Sequence, residues 1–177
     1  MVYGKQMAII VKTIGGLGNQ MFQYAFGRTL AHRLRTDLLL DIDTSVIHKG
    51  LRVHKFCLGS FHTKVIEAKE KDMHGFVWLK RHKKLFSFLY NSLKLKKITS
   101  SFYYSEKKFS FDAEALLQKD GTYFEGFWQT EKYFKEIESE IRKEFTIIEA
   151  LSDYSQSISN EIKSTNAISL HVRRTDY

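Results

Sequence analysis

Proline is absent from the 177 residues, and no low-complexity tract or internal repeat is present. Composition therefore marks no linker, and domain limits have to be read from hydrophobic pattern. With one cysteine, Cys57, an internal disulfide is excluded and a reducing compartment is the simpler expectation. Cys57 itself reads as a small packed thiol rather than a reactive one. No apolar run approaches the ~20 residues of a spanning helix, and Met1 to Gln6 lead into no apolar secretory core. A cytoplasmic protein is expected, peripheral on a membrane at most.

What is present suits one ordinary globular domain: 43% hydrophobic and 27% charged residues, with a formal charge of +8. The charge is concentrated. Between Trp78 and Lys108 stand nine bases (Lys80, Arg81, Lys83, Lys84, Lys94, Lys96, Lys97, Lys107 and Lys108) against Glu106 alone, while the rest of the chain balances. Interleaved with Trp78, Phe86, Phe88, Leu89 and Tyr90, this stretch reads either as a solvated basic helix packed on the domain or as a surface drawn to anionic lipid. No nucleic-acid reader motif accompanies it, so nucleic acid is not an expected partner.

Met7 to Val11 is a short apolar run stopped by Gly15-Gly16-Leu17-Gly18, the pattern of a buried strand feeding a tight turn. From Asn19 to Arg35, Met21, Phe22, Ala25, Phe26, Leu30, Ala31 and Leu34 recur at helical spacing, and Leu38 to Ile42 then reads as a second buried strand. Such a β-α-β unit requires parallel strands, and the fold class is α/β. Further on, a short strand is expected within Arg52 to Phe61 and helical spacing recurs in places from Phe76 to Ile98. Tyr123 to Trp128 predicts a strand and turn. Thr130 should cap a helix carrying Tyr133, Phe134, Ile137, Ile141 and Phe145. Another helix is expected around Ser152 to Lys163, then a strand over Ala167 to Val172. A strand running straight into a dense polar cluster predicts that the chain is cut short there.

Two constellations carry chemistry. Gly16, Gly18, Asn19 and Gln20 sit between strand and helix, where glycines permit a tight turn and the first helical N–H groups face a ligand. The same turn resembles a dinucleotide fingerprint with Asp41 placed for a ribose, the mark of an NAD(P)-type oxidoreductase, but Met21 replaces the third glycine. A glycine turn that merely starts a helix is the plainer alternative. The second constellation is His171-Val172-Arg173-Arg174-Thr175-Asp176-Tyr177, at the carboxyl edge of the last strand, where open sheets place ligands. Paired guanidinium groups there match a phosphate, although a surface ion-pair cluster around Asp176 has the same composition.

Taken together, the motifs carry a resemblance. Ile14-Gly15-Gly16-Leu17-Gly18-Asn19-Gln20-Met21-Phe22-Gln23-Tyr24-Ala25-Phe26-Gly27 resembles the N-terminal signature of the glycosyltransferase family 11 α-1,2-fucosyltransferases. Gly126 to Phe134 is similar to the aromatic WQSEKYF-type stretch of that family, and His171 to Tyr177 resembles the HxRRxDY block shared with α-1,6- and protein O-fucosyltransferases.

The resemblance implies inverting transfer of L-fucose from GDP-fucose to the 2-hydroxyl of a galactose-terminated glycan, without a metal or other cofactor. It implies a GT-B-like architecture, with residues 1–165 as an acceptor-side Rossmann-like domain and 166–177 opening a second, donor-binding one. In that frame Arg173 grips the diphosphate, Arg174 supports the nucleotide or its loop, and His171 and Asp176 orient them. Gly16, Gly18, Asn19 and Gln20 line the cleft. The competing classes are a dinucleotide-dependent oxidoreductase and a non-catalytic basic module for a membrane surface.

Overall fold

The computed structural model describes residues 7–42, 55–72, 102–170 and 172. The basic stretch lies mostly outside them, as do the helical spacing over Phe76 to Ile98, His171, and all residues from Arg173 onward.

Four parallel strands make the sheet: β1 (Ile9–Thr13), β2 (Leu38–Ile42), β3 (Tyr103–Ser105) and β4 (Tyr123–Glu125), in the order β2-β1-β4-β3. Helix α1 (Leu17–Leu34) crosses from β1 to β2, and Ile9 to Thr13 pair in register with Leu38 to Ile42. The expected β-α-β unit is therefore present, and the sheet is Rossmann-like. Gly27 lets the helix lie close, because a Cβ there would come within 2.6 Å of Leu38 and 2.7 Å of Val11.

Period-two alternation divides the strand side chains between two faces. Ile9, Val11, Leu38, Leu40 and Phe124 pack with Tyr24, Phe26, Leu30, Trp128, Tyr133, Ile137 and Ile141 in the main core. Ile10, Tyr123 and Ala68 form a second cluster, flanked by Leu39 and Tyr103. Helix α1 is wrapped more completely than a single apolar stripe predicts: Gln20, Gln23 and Thr29 are buried beside Tyr24, Phe26 and Leu30.

Two expectations for the residues up to Thr146 change. The helix after Thr130 is broken into short 3-10 turns, Glu131–Tyr133 and Lys135–Ile137, before α2 (Glu138–Glu144). Phe134 leaves helical backbone (φ −126°, ψ 17°), and Tyr133 is fixed instead by ring contacts with Phe26, Phe111 and Trp128. Aromatic packing outweighs helical continuity here. Lys55 to Phe61 holds a 3-10 turn, Leu58–Ser60, where a short strand was expected.

The chain separates into two compact units, up to Thr146 and from Ile147. The second carries α3 (Asp153–Ser164), capped by the Ser152 hydroxyl accepting from the Ser155 N–H at 3.3 Å. Residues 167–170 form no strand; Ile168 and Leu170 are 95% and 86% exposed. A strand exists only beside a hydrogen-bonded neighbour, and none of the described strands pairs with this segment.

Candidate functional site at the carboxyl edge of the sheet

All four strands point the same way, so their carboxyl ends share one edge, the place where parallel α/β sheets bind ligands. The glycine turn leaves β1 at that edge. Gly15 has φ +81°, the backbone conformation that favours glycine, and a Cβ there would displace the Asn19 amide. Gly16 precedes α1 without a side chain to cap it, and the first turn holds no acidic residue. The positive end of the helix is therefore presented by backbone alone, an arrangement suited to an anion or a polar sugar. A Cβ on exposed Gly18 would meet nothing within 4 Å, so the protein's own packing does not demand glycine there.

Asn19 and Gln20 have different jobs. Asn19 Oδ1 accepts from Gln129 Nε2 at 2.6 Å, which joins the glycine turn to the loop after β4. Gln20 is buried and turned inward: Nε2 donates to the Gly15 and Lys55 carbonyls, both at 3.0 Å, and Oε1 accepts from the Cys57 N–H at 2.9 Å. Its amide builds the turn from behind. Half-buried Cys57 is part of that support.

Gln23 and Glu106 were not singled out as site residues by sequence reasoning. Fully buried, Gln23 accepts from the Ile14 N–H at 3.0 Å and donates to the Gly126 carbonyl at 3.0 Å, so one side chain ties the ends of β1 and β4 to α1. Glu106 accepts from the Phe127 N–H at 2.7 Å and the Trp128 N–H at 3.2 Å. It shapes the turn in which Trp128 takes φ 56°, unusual for a bulky residue. Trp128 is held there by stacking on Phe26 at 4.1 Å and 7°, with its buried indole N–H unpaired. Gly126 fits because a Cβ would come within 2.5 Å of Glu106 Cβ and 2.9 Å of Trp128 Cε2. A glutamine one helical turn after a glycine turn was the available signal for Gln23. Glu106 gave none, since it acts on backbone N–H groups some twenty residues away.

Asp41 does not stand ready for a ribose. It is 3% exposed and accepts from the Tyr123 hydroxyl at 2.6 Å across the second face of the sheet. Burial, and then the Asp41 carboxylate, push the Tyr123 phenol well above the usual tyrosine range. With Met21 packed against the core in place of a third glycine, the geometry gives a dinucleotide no support.

Beside the glycine turn, Ile14, Tyr103, Ser105, Phe109, Glu125 and Phe127 are among the residues lining an open cavity of about 420 Å³. Glu125 is fixed by Lys12 Nζ at 3.2 Å and the Tyr103 hydroxyl at 2.7 Å. No group of three or more His, Cys, Asp or Glu among the described residues is arranged to hold a metal ion. No described helix is long and apolar enough to cross a membrane.

Over 172 residues, 96% of its length, the chain is 33% identical to an alpha-1,2-colitosyltransferase of Escherichia coli. It is thus related to a glycosyltransferase. The chain spans 55% of that relative's length. No family profile matches it, and no solved structure matches it. Kinship to a glycosyltransferase agrees with a glycine turn at the carboxyl edge of a parallel sheet. Of the sequence-predicted residues, the structure brings Gly16, Gly18, Asn19 and Gln20 together there; His171, Arg173, Arg174 and Asp176 lie outside the described residues.

Proposed function

We propose that the protein to which this chain belongs is an inverting glycosyltransferase that moves a 6-deoxy-L-hexose, L-fucose in the first instance, from its GDP-activated form to the 2-hydroxyl of a galactoside. The observation that carries this reading is the 33% identity to an alpha-1,2-transferase along almost the whole chain. The glycine turn supports it by offering uncapped helix backbone at the ligand-binding edge.

In this reading the architecture is GT-B-like, and residues 166–177 open the donor-binding domain. Arg173 binds the diphosphate and offsets charge as GDP departs, Arg174 steadies the nucleotide, and His171 and Asp176 orient them. Gly16 and Gly18 give a ligand close access to the start of α1. Asn19 keeps the turn in register with Gln129, and Gln20 holds it from inside. The sugar gains oxocarbenium character as its anomeric bond to phosphate breaks and the bond to the acceptor oxygen forms, the acceptor proton passing to a base.

Colitose is fucose without its 3-hydroxyl, so the choice between the two donors depends on whether the site hydrogen-bonds that group. The test is competition between GDP-fucose and GDP-colitose on the full-length protein. A fucose site predicts at least about a tenfold kcat/KM preference for GDP-fucose, because a polar group built to meet the hydroxyl is otherwise left unpaired. The opposite preference reassigns the donor to colitose. Turnover of neither overturns the transferase reading.

A further inference from the structure

We propose that the 420 Å³ cavity at the carboxyl ends of β1, β3 and β4 seats the acceptor saccharide, with Phe109 and Phe127 as its stacking platform and Glu125 as the carboxylate that receives its hydroxyls. The proposal rests on the transferase reading above and assigns a place to its acceptor.

The cavity's size falls in the range of small-ligand sites, roughly 300–1,000 Å³. It carries an aromatic pair, exposed Phe109 and half-buried Phe127. Phe109 is 80% exposed, and its ring lies 6.1 Å from that of Phe127 at an interplanar angle of 25°. Such a residue presents a rigid apolar face at little conformational cost. In galactose the axial 4-hydroxyl leaves the C3, C4 and C5 hydrogens together on one side of the ring. That side can lie on a phenyl face while the hydroxyls point toward polar groups.

The floor supplies those groups. Glu125 is clamped by Lys12 on one oxygen and the Tyr103 hydroxyl on the other, so its direction is set before a ligand arrives. A fixed carboxylate takes strong, directional hydrogen bonds from hydroxyls. Charge in the lining is mixed: Glu125 and Glu106 stand beside Lys107 and Lys108, and Lys107 is engaged by Glu114 at 3.0 Å. With Lys108 also in the lining and Glu125 paired to Lys12, the cavity carries no excess of either charge, which suits a neutral sugar held by fixed acceptors and an apolar wall. Ile14 connects the cavity to the glycine turn, since its N–H is held by Gln23 beside Gly15.

The experiment uses the full-length protein, Phe109→Ala and Glu125→Gln, with methyl β-galactoside as the probe. Two readouts are taken: saturation-transfer NMR of the galactoside in the presence of GDP, and steady-state kinetics with donor and acceptor varied separately. Phe109 is 80% exposed, so Phe109→Ala should keep the wild-type melting temperature, which is measured alongside to separate folding from binding. Expected for both variants is a rise in the galactoside KM of about 3- to 10-fold, the worth of one lost aromatic or hydrogen-bonded contact. Donor KM should stay within about twofold and the NMR signal should weaken. Wild-type acceptor KM and NMR signal in Phe109→Ala would overturn the proposal while leaving the transferase reading in place. Galactoside binding that depends on Phe109, in a protein that turns over no nucleotide sugar, would keep the site and remove the transferase reading.

Discussion

Single side chains hold the turns of this edge, and their replacement should have uneven consequences. Gln23→Leu would strand the Ile14 N–H and the Gly126 carbonyl inside the protein. Each orphaned group costs about 1–3 kcal/mol, so a loss of about 2–4 kcal/mol is expected in urea unfolding. Trp128→Phe keeps a ring against Phe26 and deletes the unpaired indole N–H, which offsets part of the smaller cavity it leaves, so a loss of about 1 kcal/mol is expected. Trp128→Ala should cost about 3–5 kcal/mol by opening a cavity. Gly18→Ala offers a cleaner functional probe: nothing lies within 4 Å of the new methyl, so folding should persist. If a ligand backs onto the turn, transfer should nevertheless fall. Normal stability with normal transfer would take Gly18 out of the site.

The strand-to-helix turn was legible in its glycines, although only Gly15 has the left-handed backbone that favours glycine, Gly16 being extended and Gly18 helical; side-chain direction was not legible. Gln20 read as a cleft-lining residue, yet its amide is spent on Gly15, Lys55 and Cys57. Sequence spacing could not show that, because Lys55 and Cys57 reach it only through the tertiary fold.

Among elements, the strongest periodic signals were the ones realised. β1, α1 and β2 appear as expected, with β1 shifted toward Thr13, since an apolar strand, a glycine stop and a helical repeat all agree. Where local and tertiary preferences diverge, the tertiary ones prevail. Thr130 does accept from the Lys132 N–H, at 3.4 Å, but the helix it starts breaks at Phe134 because Tyr133 packs into the aromatic core.

That broken stretch is tied to α1 by Arg33, whose guanidinium forms a forked pair with Glu136, Nη2 to Oε2 at 2.7 Å. The hydrogen bonds from Arg33 hold the Glu136 carboxyl below its ordinary value. A lowered folded pKa adds stability above the unfolded pKa and forfeits it as pH falls through the folded one. Both partners are over a third exposed, so the contribution is small. Glu136→Gln should cost no more than about 1 kcal/mol near neutral pH. The gap from wild type should close once the pH drops below the usual carboxylate range. A gap that persists in acid would assign the effect to packing.

At the scale of the molecule, the unit up to Thr146 has a sheet, two apolar clusters and a built edge, while the unit from Ile147 shows apolar surface with nothing described against it. Leu151, Tyr154, Ile158 and Ile162 are exposed along and beside α3, as are Ile168 and Leu170 beyond it. The sequence pattern suggested a strand over Ala167 to Val172, but pattern specifies a strand's faces and cannot provide its neighbour. The chain spans 55% of its relative's length, so the proposed transfer is to be measured on the full-length protein. There Arg173→Ala should lower transfer by about a hundredfold or more, as when a charge-stabilising donor is lost, and a near-normal rate would reject its role.

The most direct measurement is incubation of the full-length protein with GDP-fucose or GDP-colitose and methyl β-galactoside, with release of GDP and the linkage of the product read by NMR. Stoichiometric GDP and a disaccharide joined α-1,2 to galactose are expected. Intact nucleotide sugar with both donors, or a sugar attached at another galactose position, would contradict the proposed function.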